Sequence, residues 1–146
     1  MGSIRKIVFD DLKNIYELEK NIFIYSWSKK LVENQLRDQK ALNLLSIRNN
    51  KILGYIFTKI YLDYIEIERI GVIHDERRKY IGEDLMNEVE RITIEKNIPK
   101  LTLEVKENNI SAINLYKKLN FRKDSIRKKY YQSDNCDAIL MSKDLN

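Results

Sequence analysis

The sequence is poor in the residues that cross-link, punctuate or anchor a chain. Among 146 residues there is one cysteine, Cys136, one histidine, His74, one proline, Pro99, and four glycines. A single cysteine excludes an internal disulfide, and no Cys/His cluster has metal-ligand spacing. We therefore expect no metal and a reducing, cytoplasmic compartment. The lone His74 has no evident partner for Cys136, and no G-x-S-x-G occurs, which argues against covalent Ser or Cys hydrolase chemistry. No apolar run reaches the roughly 18 residues a membrane helix needs, and MGSIRKIVFDDL lacks a signal-peptide core. No membrane partner is expected. Linkers and internal repeats are also missing, so order should run nearly end to end through a single domain, residues 1–146.

What is present is 43% apolar content, sufficient for one sizeable core, and a net charge of +5. The charge makes polyanions candidate partners, whether nucleic acid, acidic protein surface or a small phosphorylated cofactor. Periodicity then places the elements. IRKIV reads as a strand, and Asp10 is positioned to cap a helix with Leu12, Ile15, Leu18 and Ile22 at helical spacing. Ser28 opens a second helix. ALNLLSIR and KILGYIFTKIYL are β-rich and joined by Asn49 and Asn50, the signature of a hairpin. YIEIERIGV is a further strand, followed by a helix carrying Leu85, Val89 and Ile92 that Asn97 and Pro99 stop. LTLEV is a strand, Ser111 is placed to cap a short helix through Leu119, and two terminal strands close the chain. This order predicts an α/β (α+β) fold: a mixed, mostly antiparallel sheet of six to seven strands flanked by about four helices, with one parallel crossover.

Three stretches carry chemistry. In YIEIERIGV the apolar positions move from odd (Ile65, Ile67) to even (Ile70, Val72), which needs one extra residue near Glu68 or Arg69. A β-bulge there would splay the sheet and open a slot; a strand buried on both faces is the alternative. HDERRKYIGEDLM then runs basic residues and a glycine into a helix start, where free N–H groups and the helix dipole attract an anion. A simple solvated cap would look the same. In LEVKENNISAINLYKKLNF, Leu103 and Val105 face one way and Glu104 the other. Tyr116 lies on the inward face of the following helix. A carboxylate and a phenol so placed suit proton transfer, Glu104 as base and Tyr116 as acid, although an ion-paired glutamate and a packed tyrosine would also explain them.

The bulged strand, the loop RRKYIG, the block E-V-x-x-x-N with LY-x-x-L-x-F, the YSWS segment and the tail aromatics Tyr130 and Tyr131 before Asp137 and Ala138 together carry a resemblance. It runs over nearly the whole chain. The sequence resembles the GNAT superfamily of acetyl-coenzyme A-dependent N-acetyltransferases and, more narrowly, the bacterial ribosomal-protein alanine N-acetyltransferases. The resemblance implies that Ile70, Gly71 and Val72 bind the acetyl-pantetheine arm and that Arg78, Lys79, Tyr80, Ile81, Gly82 and Glu83 wrap the pyrophosphate. Asn109 contacts the coenzyme on the same ground. It also implies Glu104 as base and Tyr116 as acid, acetyl-CoA as co-substrate without a metal, and a protein N-terminus, that of a ribosomal protein, as acceptor. A small amine or a protein lysine is the nearer rival acceptor. A basic RNA-binding module, built on the run from Arg122 to Lys129, is the remote one.

Three positions depart from that pattern. Tyr80 stands where the first loop glycine is usual, which a φ below zero would accommodate. Asn120 replaces the glycine after the last helix, and Asn is the residue other than Gly that most readily takes the left-handed C-cap conformation. Ser26 replaces the proline before Trp27, in a segment that helps form the acceptor groove.

Overall fold

The computed structural model describes residues 2–77, 80–131 and 135–145, and the backbone alone for 129–131. Seven strands form one sheet: β1 (Ser3–Lys6), β2 (Asn43–Arg48), β3 (Lys51–Ile60), β4 (Ile65–Val72), β5 (Lys100–Lys106), β6 (Arg122–Tyr131) and β7 (Cys136–Asp144), in the spatial order β1-β2-β3-β4-β5-β7-β6. Every neighbouring pair is antiparallel except β4 and β5. Helices α1 (Leu12–Ile22) and α2 (Lys29–Arg37) pack Leu12, Ile15 and Val32 against Leu45, Tyr55 and Phe57 on one face. The opposite face takes α3 (Ile81–Glu95) and α4 (Ile110–Lys118), whose Leu85, Val89, Ile113 and Tyr116 bury Ile56, Ile67, Leu101 and Leu103. The mixed, mostly antiparallel sheet with four helices is therefore as the sequence predicts.

The change of phase in β4 is a bulge. Thr58 pairs with Ile67 but Phe57 pairs with Arg69, leaving Glu68 as the extra residue. Toward β5 the pairing lasts for only three rungs, ending at Ile67 and Leu103, after which both strands continue without each other. Parallel strands separated in this way leave their inner N–H and C=O groups free for a guest chain.

Four local expectations need correction. Asp11, not Asp10, prepares α1: a short 3-10 turn intervenes, and the Asp11 carboxylate accepts the Val8 N–H at 2.8 Å and pairs with Arg5 at 2.9 Å. For α4 the cap is Asn109, whose Oδ1 accepts the Ala112 N–H at 3.2 Å, so Ser111 lies inside the helix. On that helix Ile113 is buried with Tyr116, a position the pattern left out. Tyr80 has φ of 67°, left-handed, and not the negative φ expected of it. The asparagines behave as their chemistry predicts: Asn49, Asn50 and Asn120 all have positive φ.

Candidate active site

The opening between β4 and β5 leads into a cavity of about 670 Å³. Its walls are the end of β4, the loop into α3, the first turn of α3, α4 from its cap to Lys118, and Ile22 and Phe23 at the end of α1. Of the residues singled out in the sequence, Ile70, Gly71, Val72, Tyr80, Ile81, Gly82, Glu83, Asn109 and Tyr116 all line it. Arg78 and Lys79 lie outside the described residues. Arg77, the first residue of the basic cluster at the helix start, lines the cavity as well, and Phe23, Ser111 and Lys118 line it although the sequence reading did not place them there. Phe23 could not have been found, because nothing in the sequence says that the chain after α1 returns to β4.

The loop end of the cavity suits an anion. Tyr80 caps α3 with backbone only, so its first-turn N–H groups receive no side-chain acceptor. Gly82 sits in that turn without packing necessity: an added Cβ would meet Ile70 Cδ1 at 3.6 Å and Leu115 and Val72 at 3.8 Å, ordinary contacts. The protein's own packing therefore does not demand glycine at this turn. Glu83 pairs with Lys118 at 3.0 Å, both in the cavity wall, and the ammonium offsets the carboxylate's charge beside the anion site. A diphosphate-bearing pantetheine fits these residues: N–H donors at one end, the unpaired β4 edge in the middle, and apolar Ile70, Leu115 and Ala112 alongside.

Glu104 and Tyr116 arrive from opposite faces. Leu103 and Val105 are buried with α3 and α4, so Glu104 points to the α1–α2 side, where Arg127 pairs with it at 3.1 Å. Tyr116 comes from α4 on the other side, buried, with its ring 5.9 Å from that of Phe121. Glu104 is not part of the cavity wall. Beside it stands a second carboxyl group that the sequence reading used only as a bulge marker. Glu68 and Glu104 each follow the last paired rung, and the Glu68 carboxyl is pushed up to about 8, by burial first, then by a hydrogen bond and the charge of Glu66, with the charge of Glu104 adding and Lys59 opposing.

Three cations of the basic run on β6 are paired within the chain. Arg122 meets Asp144 at 2.8 Å and Asp124 at 3.1 Å, Arg127 meets Glu104, and Lys128 lies 3.5 Å from Asp137. Among the described residues no His, Cys, Asp and Glu gather into a metal-binding group. No helix there is long and apolar enough to cross a membrane.

A slot opened by a bulge beside a helix N-terminus has the length and the N–H donors to receive an extended, phosphorylated carrier. Residues 12–121 match the Acetyltransferase (GNAT) family, and the chain belongs to it. It is an acetyl-transferring enzyme. The chain is 30% identical over 148 residues to the ribosomal protein bS18-alanine N-acetyltransferase of Escherichia coli K12, covering 97% of each. It is 29% identical over 141 residues to a putative enzyme of the same kind from Bacillus subtilis, covering 96% of this chain and 93% of that one. The crystal structure of the Escherichia coli ribosomal-protein-S18-alanine N-acetyltransferase superposes with a TM-score of 0.94 at 28% identity, over 100% of this chain and 95% of that one.

Proposed function

We propose that the chain transfers acetyl from acetyl-CoA to the N-terminal α-amine of a protein, the N-terminal alanine of ribosomal protein bS18, by direct attack within the β4–β5 slot. The observation that supports this is the β4–β5 opening beyond Ile67 and Leu103, with Glu104 on one face of β5 and Tyr116 in the cavity wall on the other. The relatives that match over nearly the whole chain and act on bS18 supply the acceptor.

Each group then has a defined task. Backbone groups of Ile70 to Val72 hold the pantetheine arm, and the first-turn N–H groups of α3 with Arg78 and Lys79 hold the diphosphate. Asn109 contacts the coenzyme at the start of α4. The acceptor arrives on the Glu104 side as an ammonium ion, since an α-amine has a pKa near 7.7–8.0. Glu104, directly or through one water, takes its proton, and the amine nitrogen forms a bond to the thioester carbon. The carbon–sulfur bond breaks, the electron pair leaves with sulfur, and the Tyr116 phenol supplies a proton to the thiolate. Attack leaves the nitrogen positively charged, and as the tetrahedral intermediate collapses this second proton also leaves by way of Glu104 and solvent; Tyr116 is reprotonated from solvent, so that of the two protons the ammonium loses, one ends on the thiol and one in solution.

Kinetics of two variants on a peptide with free N-terminal alanine test the roles. Tyr116→Phe should bind acetyl-CoA normally and turn over about 10²-fold more slowly, in the range for positioned proton transfer. Glu104→Gln should lose most activity near neutrality and regain part of it at high pH, where the free amine needs no base. Turnover of Tyr116→Phe within about threefold of the parent at every pH would make the phenol a packing residue. Transfer to polyamines or to lysine in N-terminally blocked peptides, with none to free N-termini, would reject the acceptor while leaving the chemistry in place.

A further inference from the structure

The most deeply buried acid among the described residues has no part in the chemistry above. Glu19, in α1, is fully buried, and its two oxygens accept four hydrogen bonds: from the Tyr55 hydroxyl at 2.6 Å, the Trp27 N–H at 2.8 Å, and Arg69 Nη2 and Nε at 2.6 and 3.3 Å. A buried carboxylate requires such a cation, and a two-pronged guanidinium holds it in one geometry. Three contacts connect this pair to the slot. Arg69 directly follows the bulged Glu68 and precedes the Ile70–Val72 strip that lines the cavity. Its guanidinium lies 3.6 Å from the Phe23 ring centroid, and Phe23 is itself a cavity wall, pressed so close to Gly71 that a Cβ there would come within 3.1 Å of the ring. Its Nη2 also donates to the Tyr25 carbonyl at 3.1 Å, and the Tyr25 ring sits 5.1 Å beneath the Lys106 ammonium. Lys106 belongs to β5, on the same face as Glu104.

The segment from Phe23 to Trp27 thus runs from β4 to β5 across the Glu104 side of the opening. Along it, Ile24 is 94% and Tyr25 60% exposed, an apolar surface at the side from which an amine must come. We propose that Arg69, anchored by Glu19, is a positioning residue that latches this segment over the slot and so fixes the seat of the acceptor peptide. This rests on the reading of the slot as the site of N-terminal acetylation. Arg69 touches neither reacting atom; it acts through Phe23, Tyr25 and Trp27.

Trp27, the sole tryptophan, reports on the segment directly, since its backbone N–H is bound to Glu19 and its ring centroid is 5.7 Å from the Arg69 guanidinium carbon. Two variants separate the latch from general stability. Arg69→Lys keeps the charge but loses the fork and the stacking. The double change Glu19→Gln with Arg69→Gln removes both charges, so that neither is stranded. In both, the KM for a peptide with N-terminal alanine should rise about tenfold, while kcat and acetyl-CoA affinity stay within about threefold. Trp27 should also become roughly twice as accessible to acrylamide, because both variants lose the planar guanidinium that lies over its ring. In the parent, adding the peptide should protect Trp27 from the quencher, a measurement that needs no variant. Absence of that protection overturns the latch, as does an unchanged acceptor KM in a variant that melts cooperatively. A parallel loss of acetyl-CoA affinity would show a collapsed slot, and likewise overturns it. If the parent acetylates only lysine peptides or polyamines, the N-terminal reading fails and the same KM comparison, made on that acceptor, still decides the latch. If it acetylates no amine at all, the proposed function fails and Trp27 accessibility decides alone.

Discussion

Residue 80 shows how much one position can depart from its family without closing a site. Tyr80 adopts φ 67° and ψ 12° at the N-cap of α3, a conformation that costs an L-residue roughly 1–2 kcal/mol and glycine almost nothing. Glycine in turn gives up about 0.5–1 kcal/mol of additional chain entropy on folding. The ring offsets part of the strain, since Lys118 Nζ lies 5.2 Å from its centroid. Comparing Tyr80→Gly with Tyr80→Ala removes the ring from both and isolates the backbone. The glycine variant should be the more stable by about 1 kcal/mol in denaturant unfolding, and should bind acetyl-CoA more tightly than the parent because no Cβ stands at the phosphate. Equal stabilities would mean that the backbone is free to leave the left-handed region.

Helix α3 is the element in which stability and function pull apart. Gly82 lies in its first turn, where alanine would be the better helix former by about 1 kcal/mol. The protein offers no steric objection, since the contacts of an added Cβ begin at 3.6 Å. Gly82→Ala should therefore raise the melting temperature by a few degrees and weaken acetyl-CoA binding, the methyl group standing where the diphosphate meets the helix N-terminus. A variant that gains stability and binds acetyl-CoA as well as the parent would move the phosphate away from this turn. Helix α4 teaches a related lesson. Its cap is Asn109 and not Ser111, yet Tyr116 is buried either way, because tertiary packing against the sheet chooses the face of a helix and the cap only chooses where it begins.

For the whole molecule, the carboxyl of Glu68 links folding to pH. It is raised from 4.5 to about 8 in the folded chain, by burial foremost and then by Glu66. The folded state then holds this proton more tightly than the unfolded chain. Its contribution to stability is complete below about pH 4.5 and is lost as the pH rises toward about 8. Asp11 and Asp38 act in the opposite sense. Each is lowered from 3.8, chiefly by hydrogen bonds from Arg5 and Lys59, so their contributions are present above that value and fade as acid reaches their folded-state range. The melting temperature should accordingly climb out of acid and then decline between about pH 5 and 8. In Glu68→Gln, which stays neutral throughout, the decline should flatten. A parent whose melting temperature is level across that interval would show that Glu68 is ionised there at no cost.

The fold was legible in the sequence to the extent that it is written in periodicity and in turn chemistry. Alternation located the seven strands, helical spacing the four helices, and the asparagines at 49, 50 and 120 their left-handed turns. The slip of phase between Ile67 and Ile70 even revealed the bulge, because a side chain must choose a face and one extra residue is the sole way to change it. The cavity residues of β4, α3 and Asn109 were legible through the resemblance to the acetyltransferase family, whose motifs fall at a strand end and at two helix starts. Tyr80 could not be placed, since nothing in a tyrosine announces positive φ. Long-range meetings belonged to the tertiary structure alone. That Arg127 would reach Glu104, that Glu68 would stand beside it, and that Glu19 would draw Arg69, Tyr55 and Trp27 into one buried network depends on strand order and on the return of the chain after α1. Periodicity tells which way a side chain points. What it meets there is settled only when distant segments pack and desolvate one another.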